Sequence, residues 1–188
     1  VLIYGFTGTT MLAEVATRIG EIGLSSGEPF GSYALLLGIV LIIAGFGFKI
    51  TAFPFQMLAP DVYEGSPTPV TAFLSVASKA AGFAVLLRVF YVAFPLDTLS
   101  IEWSAIFATL AALSMTVGNL VAIPQNNIKR LLAYSTIAHA GYLLVGLAAV
   151  ASRTTGDEAI GPSGVLFYLG GYAAMNLAAF SVVIAVSS

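Results

Sequence analysis

The stretch YALLLGIVLIIAGFGFKITAFPFQ, residues 33–56, places a lysine and then a proline at the end of a long apolar run. A helix that crosses a bilayer needs about 20 consecutive, mostly apolar residues. Lys49 therefore lies where the helix is still expected to be in hydrocarbon, and Pro54 removes a backbone donor soon after it. The stretch predicts a helix that breaks within the membrane beside a buried cation.

The composition of the chain is typical of a membrane protein. Of its 188 residues, 59% are hydrophobic and 9% are charged, and the mean hydropathy is +0.98, whereas roughly 25% of residues are charged in soluble domains. A net charge of -2 provides no basic surface for nucleic acid. Without cysteine, and with one histidine, the chain has too few ligands for thiolate-bound clusters or most metal sites. Any redox cofactor is therefore expected on another chain.

Apolar runs divide the sequence into one partial and five full candidate spans: residues 1–13, 33–58, 69–94, 103–123, 131–151 and 163–186. The runs are continuous rather than alternating, and they exceed the roughly 10 residues of a barrel strand. The sequence therefore predicts an all-α, polytopic membrane helix bundle, with residues 1–188 as a single transmembrane region. Because both ends lie in apolar sequence, we expect the chain to be an internal fragment of a longer protein.

The orientation of these spans is only weakly indicated by charge. Lys129 and Arg130, in the separator PQNNIKR, form the tightest basic cluster, which favours a cytoplasmic position for that loop. Arg18, Arg88 and Arg153 would then lie on the opposite side. Charge counting thus leaves both orientations open.

Lys49 and Lys79 lie inside predicted spans, and Lys79 is near the middle of its span. Centring a lysine in a membrane helix costs about 2.5–3.5 kcal/mol on insertion scales, so each is expected to face protein or a wetted cavity. Desolvation favours neutral lysine, so such a residue can exchange a proton near neutral pH, whereas arginine stays charged. The pattern predicts proton carriage. The alternative is a structural salt bridge within the bundle.

Pro54 is predicted to disturb the helix at Ile50, because a proline clashes with the carbonyl four residues before it. Non-helical backbone at membrane depth is tolerated only where protein or water satisfies it, and transporters place ion sites at such breaks. The sequence therefore favours a hydrated relay point at the break, next to Lys49. The alternative is a kink that serves packing alone.

His139 lies inside the span 131–151 and is the third candidate for proton transfer. Three polar residues share its helical face: Ser135, Thr136 and Tyr142. The alternative for a lone histidine is a packed, hydrogen-bonded core residue. Asn119 and Asn176, in two further spans, are predicted to bond between helices or to hold water along the same axis.

Two segments of the chain resemble a known family: PFQMLAPDVYEGSPTPVTAFLSVASKAAGF, residues 54–83, and GNLVAIPQNNIKRLLAYSTIAHAGYLLVGL, residues 118–147. They are similar to the antiporter-like membrane subunits of complex I, most closely those of the subunit N type. The resemblance implies an inverted-repeat bundle whose broken helices meet a central polar axis. It also implies a relay of Lys49, Lys79 and His139, in which Lys49 pairs with a glutamate outside this chain. Gln56 stands where many relatives have histidine, so no proton-carrying role is transferred to it.

The function that this resemblance implies is proton translocation within an NADH–quinone oxidoreductase. The chain would hold no cofactor, while NADH, flavin, iron–sulfur clusters and quinone would belong to other subunits. The other membrane-arm subunits and the lipid bilayer would be its partners, in a bacterial cell membrane or a thylakoid-type membrane. One alternative is a subunit of a multisubunit sodium/proton antiporter. Another is a scaffold bundle whose lysines only form ion pairs.

Overall fold

The computed structural model describes residues 1–25, 29–94, 96–149 and 160–187, and within these ranges it contains helices but no strand. The predicted all-α fold class is therefore confirmed. The helices are α1 Leu2–Thr7, α2 Leu12–Ser25, α3 Pro29–Ile50, α4 Leu58–Gly65, α5 Thr68–Phe73, α6 Lys79–Ala93, α7 Leu96–Ala122, α8 Ile128–Ala148 and α9 Ile160–Ser187, with a π-helical turn, Leu74–Ser78, between α5 and α6.

Five segments in the described part of the chain are long and apolar enough to cross a membrane: Tyr33–Ile50, Thr68–Ala93, Trp103–Ala122, Ile128–Ala148 and Gly161–Val186. They coincide with the five full spans predicted from the sequence, and the chain is a multi-pass membrane protein. The predicted span 33–58 is shorter than expected, because its helix ends at Ile50. Residues 150 and 151 of another predicted span, and Arg153, lie outside the described residues.

The partial span predicted at residues 1–13 is not one continuous helix. Two helices occupy this region, because α1 ends at Thr7 and α2 begins at Leu12. Gly8 adopts a left-handed conformation with φ of 71°, and its N–H donates to the Tyr4 carbonyl. A left-handed glycine is a common helix stop, and here it lies within the short polar stretch TGTT, residues 7–10.

Aromatic side chains pack α6 against α7 in the core. The Phe90 ring centroid lies 5.2 Å from that of Phe94, 5.5 Å from that of Trp103 and 4.9 Å from that of Phe107. All four side chains are buried. Aromatic rings favour tilted and edge-to-face pairs at such separations, so the cluster fixes how α6 lies against the following helix.

Small residues bring α7 and α8 into close contact. A Cβ at Gly118 would lie 2.7 Å from the Ala138 nitrogen, and one at Gly141 would lie 2.9 Å from the Ala111 carbonyl oxygen. Membrane helices commonly use small residues in this way, because lipid provides no hydrophobic force to bring them together. The contact sets the register of α8, which carries Thr136 and His139.

Candidate functional site

The break between α3 and α4 forms one wall of the site. After Ile50 the backbone leaves the helix, and Thr51 has φ of 62°. The Phe53 N–H donates to Ser114 Oγ of α7 at 2.9 Å, which satisfies one backbone donor of the non-helical segment. Pro54 lies exposed in this segment. The chain is therefore non-helical around Pro54, and a side chain of a neighbouring membrane helix supports the break.

Lys79 fills the break. Its side chain is only 2% exposed, and its Nζ donates to the Ile50 carbonyl at 3.1 Å and to the Thr136 carbonyl at 3.2 Å. It also donates to the Thr51 hydroxyl. An ammonium group has three donors, so all three are used. The last carbonyl of α3 is one acceptor, and carbonyls at a helix C-terminus favour a cation.

A π-helical turn directly precedes Lys79 and has its own partner on α9. Tyr172 is 3% exposed, and its hydroxyl donates to the Ser75 carbonyl at 3.2 Å. Single π-turns inside α-helices occur frequently at functional sites. Tyr172 thus connects α9 to the segment that positions Lys79.

His139 lies half-buried in a group of three tyrosines. Its Nδ1 is 2.5 Å from Tyr168 Oη, and its ring centroid lies 5.3 Å from that of Tyr172 and 5.5 Å from that of Tyr142. The Tyr142 hydroxyl accepts a hydrogen bond from Asn119 at 3.4 Å. The hydrogen bond to Tyr168 fixes one side of the imidazole, and tyrosine hydroxyls both donate and accept protons. The group places the Tyr142 ring between His139 and exposed Asn119.

Thr136 and Tyr172 connect the two candidate proton carriers. Lys79 bonds to the Thr136 carbonyl, which lies about one helical turn before His139 on α8. Tyr172 donates to the Ser75 carbonyl, which lies about one helical turn before Lys79, and its ring packs against that of His139. The structure therefore brings Lys79 and His139 together across α6, α8 and α9.

Lys49 lies elsewhere. Its side chain is exposed on the surface of the described chain, with its Cγ beside Gly82 of α6. At the break itself, the Ile50 carbonyl accepts from Lys79 rather than from Lys49. The relay point at the break and the partner of Lys49 outside this chain both stay predictions. Buried Gln56 Oε1 has no hydrogen-bond partner among the described residues.

Three residues of the site were missed by the sequence analysis: Thr51, Tyr168 and Tyr172. A signal existed for the tyrosines, because Tyr168, Tyr172 and Asn176 follow one another at intervals of four in α9 and so share a face. Asn176 is buried and donates to the Tyr172 carbonyl within its own helix. No sequence pattern marks Thr51.

Within the described ranges, no group of three or more His, Cys, Asp or Glu residues is placed to hold a metal.

A surface cluster joins α4 to the start of α8. Arg130 Nη1 lies 2.6 Å from Glu64 Oε2 and 3.2 Å from Asp61 Oδ1. Asn127 donates to Glu64 Oε1 at 3.0 Å, and Lys129 donates to the Ser66 carbonyl at 2.9 Å. We call this cluster the α4–α8 latch; it comprises Asp61, Glu64, Asn127, Lys129 and Arg130. It joins PDVYEGSPTP, residues 60–69, to PQNNIKR, residues 124–130, and these lie in the two segments that carry the resemblance.

The latch is expected to loosen when Glu64 loses its charge. The hydrogen bond from Arg130 holds the pKa of Glu64 below its ordinary value of 4.5. A carboxyl whose pKa is lower in the folded state stabilises the fold at pH values above its ordinary pKa. This stabilisation is lost as the pH falls through the pKa of the folded state. The protection of residues 58–65 in the complete complex, which is the hydrogen-exchange rate relative to the intrinsic rate at the same pH, is therefore expected to fall below pH 4.5, and to be lower at neutral pH in Glu64→Gln.

The matched control is Glu14→Gln, which removes an exposed carboxylate from α2, away from the latch. Its exchange at residues 58–65 should match the wild type at neutral pH. Because exposed ion pairs contribute little, the effect of Glu64→Gln should be local. Equal exchange of α4 in wild type and Glu64→Gln would show that the charge does not hold the latch.

The whole chain is similar to known membrane proteins of one family. The family described as "NADH:quinone oxidoreductase/Mrp antiporter, TM" matches residues 1–188. The protein named NADH-quinone oxidoreductase subunit N in Dehalococcoides mccartyi is 54% identical over 190 residues, covering 100% of this chain and 38% of the relative. Its namesake in Trichlorobacter lovleyi is 51% identical over 185 residues, covering 98% of this chain and 35% of the relative.

A solved structure shows the same fold. A chain of the membrane-bound sulfane sulfur reductase, an archaeal respiratory membrane complex, superposes with a TM-score of 0.78 at 28% identity, over 96% of this chain and 34% of that chain. The sequence described here thus spans little more than a third of each of these relatives. The predicted resemblance is confirmed, and the chain belongs to the NADH:quinone oxidoreductase/Mrp antiporter transmembrane family.

Proposed function

We propose that this chain is part of a proton-translocating membrane subunit of an NADH–quinone oxidoreductase. It moves protons along an axis that contains Lys79, His139 and water, with Lys49 as a further carrier. It holds no redox cofactor; NADH, flavin, iron–sulfur clusters and quinone belong to other subunits of the complex. Electron transfer in those subunits drives the proton movement, and the neighbouring membrane-arm subunits are its partners.

The position of Lys79 is the observation that carries this proposal. A buried lysine that served only as a structural ion pair would have a carboxylate partner. The acceptors of Lys79 are instead two backbone carbonyls and one hydroxyl. Neutral partners compensate a buried charge less fully than a carboxylate does, which leaves Lys79 able to give up its proton. This supports the relay over the scaffold alternative.

A sodium/proton antiporter subunit is the second candidate, because the family description includes the Mrp antiporters. The names of the relatives at 54% and 51% identity favour the oxidoreductase. Purification of the complete complex tests the choice. Co-purifying subunits that bind NADH and quinone would support the proposal, and a complex without any redox subunit would support the antiporter.

Replacing His139 with glutamine is expected to slow proton pumping severalfold without preventing assembly. Glutamine keeps a polar side chain that can bond to Tyr168 but does not titrate under ordinary conditions. Positioned acid–base groups contribute about 10²–10⁴-fold to proton transfer. A smaller loss of pumping is expected here, because water can bridge the gap that the imidazole leaves. The measurement is the initial rate of NADH-driven acidification in vesicles containing the complete complex.

The control for this variant is Ser181→Ala. Ser181 lies exposed on α9 and donates to the Leu177 carbonyl of its own helix, so its removal should leave pumping unchanged. If His139→Gln pumped at the rate of this control, His139 would be a packed core residue, and water alone would carry the proton past it.

A further inference from the structure

Thr51 has a backbone conformation that its residue type disfavours. Its φ of 62° lies in the left-handed region, where a branched side chain is uncommon because its Cβ crowds the backbone. Glycine adopts this conformation without that cost. Strained residues of this kind persist where the surrounding structure requires them, and they concentrate at functional sites. The side chain of Thr51 is therefore the feature to explain.

The hydroxyl of Thr51 makes two hydrogen bonds of opposite sense. It donates to the Ile50 carbonyl at 2.6 Å and accepts from Lys79 Nζ. A hydroxyl has a single proton, so once that proton points at Ile50, the oxygen offers Lys79 only lone pairs. The left-handed backbone thus aims an acceptor, and no donor, at the lysine.

This arrangement matches the charged form of Lys79. The ammonium group donates to Thr51, Ile50 and Thr136 and so uses all three of its protons. A neutral amine has two protons and a lone pair, so it can donate to only two of these three acceptors. Loss of the proton from Lys79 therefore changes the hydrogen bonding of the α3 break.

We propose that Thr51 is a positioning residue that holds the protonated side chain of Lys79 in the α3 break and couples its proton release to the geometry of the break. The inference deepens the proposed function, on which it rests. It assigns to the break a role in proton transfer that Pro54 cannot supply, because proline has no side-chain acceptor. The strained backbone at Thr51 is retained because it directs the hydroxyl oxygen at Lys79.

Three substitutions in the complete complex separate the hydroxyl from the backbone conformation. Thr51→Val keeps the branched shape and removes the hydroxyl. Thr51→Gly removes the hydroxyl and relieves the backbone, and Thr51→Ser keeps the hydroxyl. NADH-driven pumping by assembled complex is expected to fall about tenfold in Thr51→Val and Thr51→Gly, the size of a lost hydrogen bond to a charged group. It is expected to stay near the wild-type rate in Thr51→Ser. Wild-type pumping by either Thr51→Val or Thr51→Gly would overturn the proposal.

Electron cryo-microscopy of the Thr51→Val and Thr51→Ser complexes provides a readout that does not depend on pumping. Lys79 Nζ is expected to leave the Ile50 and Thr136 carbonyls in Thr51→Val and to remain bonded to them in Thr51→Ser. An unmoved Lys79 in Thr51→Val would refute the positioning role, even if pumping fell. Normal pumping by Lys79→Ala would instead refute the proposed function. The position of Lys79 in the two Thr51 variants would still show whether Thr51 positions it.

Discussion

Replacing Lys79 with alanine is expected to reduce proton pumping by the complete complex by about 10²-fold or more, the contribution of a positioned proton-transfer group. The change removes the ionisable group that fills the α3 break and leaves the carbonyls of Ile50 and Thr136 without this donor. Assembly is expected to survive, because the costly burial of a charge is removed at the same time. The measurements are acidification of vesicles and the amount of assembled complex.

Lys79→Arg and Arg88→Ala are the matched variants for this experiment. Arginine stays charged at all relevant pH values, so Lys79→Arg should pump as poorly as the alanine variant. Arg88 lies exposed on the same helix, α6, so Arg88→Ala removes a cation without touching the break and should pump normally. Normal pumping by assembled Lys79→Ala would contradict the relay role of this residue.

Replacing Gly118 with valine is expected to prevent assembly of the subunit. A Cβ at this position would lie 2.7 Å from the Ala138 nitrogen and 3.0 Å from its Cα. Both are backbone atoms, so no side chain can turn aside to relieve the overlap. Overpacking typically costs about 1–3 kcal/mol, and a larger cost is expected where two helix backbones must separate. Ala138 lies between Thr136 and His139, so any accommodated variant would also displace the site.

Gly170→Ala is the control for this substitution. A Cβ at Gly170 would meet nothing within 4 Å, and alanine favours a helix over glycine by roughly 0.5–1 kcal/mol. The variant should assemble at the wild-type level, as quantified by native gel electrophoresis of solubilised membranes. A Gly118→Val complex present in wild-type amounts would show that α7 and α8 can separate at little cost.

The apolar runs of the sequence were sufficient to predict the fold class and five membrane spans. In hydrocarbon every backbone donor and acceptor must be satisfied within the protein, which leaves helices as the solution for long continuous runs. The same reasoning predicted that the run before Pro54 is interrupted, and α3 does end at Ile50. The motifs at residues 54–83 and 118–147 were sufficient for the family, which the comparisons confirm.

The tertiary structure decided which side chains meet. Lys79 contacts Thr51 and Thr136, which are 28 and 57 residues away, His139 contacts Tyr168 at a separation of 29, and Glu64 contacts Arg130 at a separation of 66. Hydropathy and helical periodicity describe order within one helix. These pairings depend instead on the close packing of α7 and α8, the π-turn before Lys79 and the left-handed turn at Thr51. For the same reason only the structure shows that Lys79, rather than Lys49, fills the break.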